Sequence, residues 1–253
     1  MSAHGPKWRG WWQRSGATKL QRGVHLSCVA IAALTTGLTG SLLRCCACVG
    51  AGSLLPCDVR HDEEISAVAT AVGARGQGRL DALLHAVAFA PPEALRGGSL
   101  MATSREAWAT TLDVSAYSLI ALSRGLHPLL QAAASNTRGG DGRVHYGPSI
   151  TALSYIGARK AVPEYLVMGP AKAALEATAR GLAAELGPEG IRVNVISAGP
   201  VRTVAAKSIP GFSAMARSVQ ERAPLRRNIS APDVAGLATF LASDAASGIT
   251  GVP

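Results

Sequence analysis

The sequence predicts an α/β domain whose central sheet is largely parallel. Residues 83–89 form a nearly continuous apolar run, as expected of a strand that helices cover on both faces. Residues 106–130 and 175–186 have the length and apolar spacing of long helices, so helical and strand patterns alternate along the chain. A chain of 253 residues is also long enough to bury a sizeable core.

The predicted elements follow in order, and specific residues start or stop them. Gly187-Pro188 ends the helix that carries Lys172. Ser230, followed by Pro232 and Asp233, is typical of a helix start with a capping hydroxyl and a proline in the first turn. The order is strand 53–59, helix 62–72, loop 73–78, strand 83–89, helix 106–130, loop 133–148, strand 150–154, a helix through 186, strand 191–195 and a last helix from 231.

Charge and cysteine content argue against two kinds of function. The formal net charge is +9, but the first 57 residues hold six Lys and Arg and no acid, which leaves only +3 for the rest. No basic face for nucleic acid is therefore predicted. All five cysteines lie in the same segment, at Cys28, Cys45, Cys46, Cys48 and Cys57. They lack a fourth spaced ligand and a histidine partner, so we predict reduced thiols and no metal site.

Residues 1–50 are predicted to form an N-terminal extension, transit-like or poorly ordered, and residues 51–253 the folded domain. The extension contains Arg and Ser but no acid, which is typical of an organelle transit peptide. The alternative for residues 24–38 is the apolar region of a secretory signal; the stretch is too short and too polar for a membrane-spanning helix. We therefore expect a plastid or mitochondrial location if the extension is a transit peptide, a cytoplasmic location otherwise, and no stable membrane insertion.

Tyr165 and Lys172 stand seven residues apart. If both lie on one α-helix, this spacing turns through about 700° and leaves the two side chains about 20° apart on one face. A nearby ammonium would make the phenol a better proton or hydrogen-bond donor, so the two residues are a candidate catalytic pair. The alternative at this point is a surface Tyr and a surface Lys on an ordinary helix.

Five segments in a fixed order indicate a family. They are Cys57-Asp58-Val59, the run Leu84-His85-Ala86-Val87-Ala88-Phe89-Ala90-Pro91, residues 153–172, residues 187–203 and Ala223-Pro224-Leu225-Arg226-Arg227. Through them the chain, from about residue 56 to residue 251, resembles the enoyl-acyl-carrier-protein reductases, the divergent branch of the short-chain dehydrogenase/reductase superfamily. The resemblance implies a Rossmann-like, doubly wound parallel sheet that is incomplete at its first βαβ unit and its last strand.

The resemblance implies roles for three groups of residues. The catalytic group is Tyr165, Tyr155 and Lys172. Cofactor binding falls on Asp58, Val59, Val87, Lys172, Val201, Thr203 and Ala205. Substrate binding falls on Ala90, Met168, Ile209 and Phe212, the last two in a mobile loop at 205–215. His85 is expected to be a structural histidine of the core.

The turn that should bind the cofactor phosphates matches the family poorly. Thr36-Gly37-Leu38-Thr39-Gly40-Ser41 is the candidate Gly-rich turn, and it lacks the full glycine spacing. If the first strand lies at 24–34, the stretch before Asp58 has about half the length that the expected helices and strands need. Ala86 and Ala88 also stand where the family often has Ser and Gly, and an added methyl group crowds a backbone–ligand approach.

The function implied by the resemblance is reduction of trans-2-enoyl-acyl-carrier-protein thioesters in fatty acid biosynthesis, with hydride from NADH. NADPH stays open, and the expected assembly is a homo-oligomer. One alternative is an inactive reductase-like protein that has lost cofactor binding and keeps a dimer interface. A second is a 3-ketoacyl-type reductase, in which Tyr and Lys stand four residues apart. Arg159 occupies that offset from Tyr155, so this alternative fits less well.

Overall fold

The computed structural model describes residues 28–34, 44–49, 53–95, 99–135, 147–203, 206 and 211–252. Its strands are β1 (Cys28–Leu34), β2 (Arg44–Val49), β3 (Ser53–Cys57), β4 (Ala82–Ala86), β5 (Ser149–Ser154) and β6 (Arg192–Ser197). Its α-helices are α1 (Asp62–Arg75), α2 (Pro92–Leu95), α3 (Arg105–Leu112), α4 (Ser118–Ser135), α5 (Met168–Leu186), α6 (Phe212–Arg222) and α7 (Ala231–Ala242).

The strands form one sheet in the order β3-β2-β1-β4-β5-β6. Strands β1, β4, β5 and β6 are parallel, which confirms the predicted α/β class. Strand β2 instead runs antiparallel to both of its neighbours. Because β1 and β2 are only nine residues apart and a parallel crossover needs about a dozen or more, β2 returns directly beside β1. The first βαβ unit is incomplete, as expected, and the sheet takes two strands from the stretch assigned by sequence to the N-terminal extension.

A continuous apolar core fills the space between the sheet and its helices. Helix α4 contributes Leu119, Leu122, Leu126 and Leu130, all fully buried at helical spacing, which is one face of the helix. Strand β4 contributes Leu83, and β5 contributes Ile150. The predicted long helix is therefore real, although a π-helical turn at Asp113–Tyr117 divides it into α3 and α4.

The last described residues run alongside β6 in the same direction. The amide of Gly251 donates to the carbonyl of Val193 at 2.8 Å, and the amide of Val195 donates to the carbonyl of Val252 at 2.8 Å. The side chain of Asn194 holds the preceding turn by donating to the carbonyl of Ile249 at 2.8 Å. These bonds tie the end of the described chain to the sheet.

Candidate active site

The candidate site lies at the edge of the sheet where the parallel strands end. Tyr155 directly follows β5, Val87 directly follows β4, and Thr203 lies beyond the end of β6. Open α/β sheets bind ligands at this edge, because the loops that leave the strands there diverge and open a crevice. The topology thus gathers predicted residues from three strands and from the start of α5.

Tyr165 does not lie on the helix that carries Lys172, so the same-face prediction was wrong. Residues 163–167 form turns, and α5 begins only at Met168. Pro170 explains the late start, because a proline ring clashes with helical backbone four residues earlier, at Leu166. Leu166 itself has a φ of 39°, in the left-handed region, so the chain bends sharply just after Tyr165.

Tyr165 is buried and packs edge-on against Tyr155. Their ring centroids lie 4.9 Å apart with an interplanar angle of 63°. The backbone of Gly157 lies beneath the ring of Tyr165, since a Cβ at position 157 would fall 2.4 Å from its Cδ1 atom. The absence of a side chain at Gly157 is therefore what lets the two rings meet.

Both phenols are held in their protonated form. Burial raises the pKa of Tyr165 strongly, and the neighbouring Tyr155 adds to the increase. Burial also raises the pKa of Tyr155. Burial therefore outweighs any acidifying effect of Lys172 on the phenol, and the expectation that the ammonium makes Tyr165 a better donor stays a prediction. Tyr165 is suited to donate a hydrogen bond as a neutral phenol.

Lys172 is a buried ammonium in the first turns of α5. Its Nζ donates to the backbone carbonyl of Leu153 in β5 at 2.8 Å. Burial lowers the pKa of Lys172 to about 8, against the opposing charge of Glu176. His85 in β4 is fully buried, and its pKa falls to about 3 because of burial and the charge of Lys172. His85 is neutral at physiological pH, and its Nε2 lies 2.8 Å from the Ser118 hydroxyl, in keeping with a core histidine.

Glu176 is a residue of this region that the sequence did not single out. Its carboxylate is buried and accepts hydrogen bonds from the Ser154 hydroxyl at 2.8 Å and from Arg159 Nε at 3.1 Å. The available signal was its position one helical turn after Lys172, which puts both side chains on one face of α5. Its two partners come from β5 and the following loop, and sequence spacing does not reveal such contacts.

Ser115 is a second residue that sequence reasoning missed. It is fully buried in the π-helical turn, and its hydroxyl makes two bonds to one backbone unit. It accepts from the amide of Phe89 at 2.9 Å and donates to the carbonyl of Phe89 at 2.8 Å. Phe89 lies between Val87 and Ala90, so this serine fixes the path of the loop to which cofactor and substrate contacts were assigned.

Asp58 and Val59 lie at the end of β3, and both are buried. The Asp58 carboxylate accepts hydrogen bonds from Arg60 Nε at 3.0 and 3.1 Å. Burial favours the neutral acid, but the hydrogen bonds and charge of Arg60 outweigh it and lower the pKa of Asp58. The Asp58 amide donates to the Glu64 carboxylate at 2.7 Å. The carboxylate is therefore ionised and already paired.

After β6, the structure describes the chain through Thr203, then residue 206 and residues 211–252. Some of the residues to which cofactor and substrate binding were assigned therefore lie outside the described residues. Val201 is half-buried, and the Thr203 hydroxyl accepts from the amide of Ala206 at 3.0 Å. Ala205 and Ile209 fall outside the described residues, as does the candidate phosphate-binding turn at 36–41. Part of the predicted loop at 205–215 is helical, since α6 begins at Phe212.

Two of the predicted substrate contacts pack with the tyrosines. Ala90 and Met168 belong to one buried cluster with Tyr165, and Tyr155 packs against it. Phe212 is buried at the start of α6. From the same helix, Met215 places its Sδ atom 2.9 Å from the Tyr155 hydroxyl. The structure thus assembles an apolar wall around two phenols.

The residues at this edge fit a nicotinamide cofactor. An ammonium has three N–H donors, and the bond to Leu153 uses one of those on Lys172, so donors remain for sugar hydroxyls. Within the described ranges, no group of three or more His, Cys, Asp or Glu side chains could hold a metal ion. Among the helices that the structure describes, none is long and apolar enough to cross a membrane.

Comparison with known families and structures gives consistent matches. The family model described as "Enoyl-(Acyl carrier protein) reductase" matches residues 27–252. The chain is 47% identical over 197 residues to an enoyl-[acyl-carrier-protein] reductase [NADH] of Nostoc, covering 78% of this chain and 70% of that one. It is 41% identical over 194 residues to an NADPH enzyme of that name from Staphylococcus aureus, covering 77% and 70%.

Solved structures agree with this match. A crystal structure of the NADH-dependent enoyl-[acyl-carrier-protein] reductase from Aquifex aeolicus superposes with a TM-score of 0.68 at 43% identity, covering 78% of this chain and 70% of that one. The Bacillus cereus reductase, solved with NADP+ and an indole naphthyridinone, superposes with a TM-score of 0.69 at 40% identity, covering 79% and 73%.

Proposed function

Since the chain belongs to the enoyl-acyl-carrier-protein reductase family, we propose that it reduces trans-2-enoyl-acyl-carrier-protein thioesters to acyl thioesters in fatty acid biosynthesis. The observation that supports this most is the edge-on contact of Tyr155 with the buried Tyr165 at the carboxyl edge of the sheet. The buried Lys172 bonds the carbonyl of Leu153 in β5, the strand that leads into Tyr155. The 3-ketoacyl alternative requires a lysine at position 159. Arg159 stands there instead, and it bonds Glu176.

The proposed cofactor is NADH, held by Lys172 through its ribose hydroxyls and by Thr203 at its nicotinamide end. When bound, NADH would supply the hydride that is added to the β-carbon of the enoyl thioester. The resulting enolate takes one proton from solvent at its α-carbon, which completes the acyl thioester. Tyr165 donates a hydrogen bond to the thioester oxygen, where negative charge develops. Its raised pKa keeps the proton on the phenol at neutral pH, so it serves as a neutral donor.

The remaining residues shape the pocket. Tyr155 holds Tyr165 edge-on, and Ala90 and Met168 exclude water from the same wall. A water-poor site strengthens the hydrogen bond that Tyr165 donates, because the local dielectric is low. Phe212 and Ile209 are proposed to contact the acyl chain from the segment that precedes and begins α6.

A variant pair tests the role of Tyr165. Tyr165→Phe removes the donor and keeps the ring, so we expect kcat for crotonyl-thioester-dependent NADH oxidation to fall about 100- to 1,000-fold. Tyr117→Phe is the matched control, because Tyr117 is exposed on the π-helical turn. An unchanged rate in Tyr165→Phe would remove Tyr165 from the mechanism.

Nucleotide binding tests the cofactor assignment separately. We expect saturable quenching or enhancement of nucleotide fluorescence when NADH is titrated with wild-type protein. NADPH is titrated in parallel, because the Staphylococcus aureus relative is named as an NADPH enzyme. No saturable binding of either nucleotide in the millimolar range would instead support an inactive reductase-like protein.

The assembly and location of the protein are further proposals. A homo-oligomer is proposed because exposed aromatic side chains, Trp108 and Tyr117, lie on the helical segment that makes subunit contacts in the superfamily. Light scattering during size-exclusion chromatography measures the assembly, and a monomer at micromolar concentration contradicts it. An organelle-targeting role for residues 1–50 is tested by fusing them to a fluorescent protein, where diffuse cytoplasmic signal contradicts targeting.

A further inference from the structure

Glu176 links two segments of the candidate site that are distant in sequence. Its side chain is 5% exposed and accepts from the Ser154 hydroxyl at 2.8 Å and from Arg159 Nε at 3.1 Å. Ser154 and Arg159 stand on either side of Tyr155 and Gly157 in the chain. One carboxylate therefore anchors both ends of the loop that carries Tyr155 and Gly157, the glycine beneath the Tyr165 ring.

The same helix face carries Lys172, one turn before Glu176. Lys172 Nζ donates to the carbonyl of Leu153, the residue next to Ser154. Helix α5 is thus joined to the end of β5 by two adjacent polar contacts, one from Lys172 and one from Glu176. A shift of either side chain would move the ammonium and the tyrosine loop relative to each other.

Stability alone gives little reason for this arrangement. Burying a carboxylate is costly, and replacing a buried ion pair by apolar residues is often neutral or stabilising. The partner Arg159 is largely exposed, with 55% of its side chain accessible, so solvent weakens the attraction. A role in geometry and charge accounts for a carboxylate in this position better than a role in net stability does.

Charge around Lys172 comes from few groups among the described residues. His85 faces it from β4 and is neutral at physiological pH. Glu176 faces it from α5 and favours the ammonium, while Arg159 approaches only through Glu176. Both site tyrosines stay protonated. Glu176 is therefore the group whose charge opposes the desolvation of Lys172.

We propose that Glu176 is a positioning residue that couples the tyrosine loop to α5 and keeps Lys172 in its charged form. The proposal rests on the proposed function, in which a protonated Lys172 holds the cofactor ribose. The Arg159–Glu176 bond fixes the positions of Tyr155 and of the Gly157 backbone relative to α5. The carboxylate charge keeps the ammonium available at working pH.

The first measurement is made on the protein without cofactor, so it does not depend on activity. The chain has five lysines, so selective ¹³C labelling at lysine Cε gives a spectrum simple enough to titrate. The Lys172 signal is assigned by its loss in Lys172→Arg. In wild-type protein we expect it to titrate near 8, the pKa that burial imposes.

Glu176→Gln keeps the size and the hydrogen-bonding oxygen of the side chain but removes its charge. We expect the Lys172 titration to move about one pH unit lower, the small end of the effect of a neighbouring opposite charge. Glu185→Gln, at an exposed position of α5, is the matched control and should leave it unchanged. A Lys172 titration in Glu176→Gln that matches wild type overturns the charge role.

NADH affinity supplies the second readout. Because only the charged form of Lys172 binds the cofactor in this scheme, Glu176→Gln should bind NADH nearly as well as wild type near pH 6. As the pH is raised, the NADH affinity of Glu176→Gln should begin to fall at a lower pH than that of wild type does. A loss of affinity that is equal at every pH contradicts the proposal, because that is the pattern of general damage to the fold.

Arg159→Met tests the coupling and stands in if Glu176→Gln does not fold. It removes the loop anchor but keeps the carboxylate, so Lys172 should titrate as in wild type or slightly higher while kcat falls about tenfold or more through misplaced tyrosines. Unchanged kcat in Arg159→Met overturns the coupling. If wild-type protein neither binds nor oxidises NADH, the proposed function fails, and the lysine titration still decides whether Glu176 controls Lys172.

Discussion

Gly157 is the position where a single methyl group should disturb the site most. A Cβ there would fall 2.4 Å from Cδ1 and 2.6 Å from Cε1 of Tyr165, and 3.4 Å from Cδ1 of Tyr155. Ordinary contact for a Cβ begins near 3.4 Å, so the Tyr165 ring must retreat by about 1 Å. Gly157 has no left-handed backbone angle, so Gly157→Ala acts through this contact and not through backbone strain.

The expected cost follows from that displacement. Moving a reacting group by about 1 Å lowers catalysis on the order of 100-fold. Overpacking of a buried contact also costs about 1–3 kcal/mol of stability, since the neighbours must leave their preferred rotamers. We therefore expect Gly157→Ala to lower kcat for crotonyl-thioester-dependent NADH oxidation about 100-fold, with a moderate loss in the free energy of unfolding.

Gly181 on α5 is the matched control for this substitution. A Cβ at that position meets nothing within 4 Å, and the residue is exposed. Gly181→Ala should keep full activity and gain about 0.5–1 kcal/mol of stability from its helix position. Wild-type kcat/KM in Gly157→Ala would refute the view that the Tyr165 ring is fixed against this backbone.

Two further predictions concern the loop after β4 and the buried ammonium. Ser115→Ala leaves the amide and carbonyl of Phe89 without their partner, which costs about 1–3 kcal/mol of stability for each buried group. We therefore expect a higher KM for NADH and a lower melting temperature. Ser123→Ala is the control and should change neither, because the buried Ser123 hydroxyl has no hydrogen-bond partner among the described residues. Equal KM values for NADH in the two variants would contradict the view that Ser115 fixes the loop at Phe89. Lys172→Met should abolish NADH binding yet raise the free energy of unfolding at neutral pH by up to about 3 kcal/mol, because folding lowers the pKa of Lys172 from 10.5 to about 8. Between pH 8 and pH 10.5 the unfolded chain still binds a proton at Lys172 that the folded protein has released. The free energy of unfolding of wild type therefore rises with pH, and its difference from that of Lys172→Met narrows. Denaturant titrations that show a pH-independent difference between the two proteins would contradict this.

The sequence was sufficient for features that depend on local pattern and chain order. The apolar run of β4 and the helical spacing of α4 appear as expected, and the family match over residues 27–252 agrees with the five segments. Tyr155 follows β5 and Lys172 lies on the next helix, because strand and helix boundaries place them there. The catalytic roles of these residues stay predictions until variants are measured.

Other features depended on contacts that sequence spacing does not reveal. Tyr165 leaves the helix because Pro170 delays its start, so the seven-residue spacing has a different geometry from the one expected. Glu176 and Ser115 act through partners far away in the chain, and each could equally have been a surface residue by sequence alone. Strand β2 turned antiparallel because the connection from β1 is too short for a crossover helix.

The most direct test of the central claim follows the transferred hydride itself. Wild-type protein is incubated with a trans-2-butenoyl thioester and NADH deuterated at the transferable position of its nicotinamide ring, and the product is examined by mass spectrometry and NMR. We predict a butanoyl thioester with one deuterium at its β-carbon. Unchanged butenoyl thioester, or product without deuterium at that carbon, would contradict the assignment of this chain as an enoyl-thioester reductase.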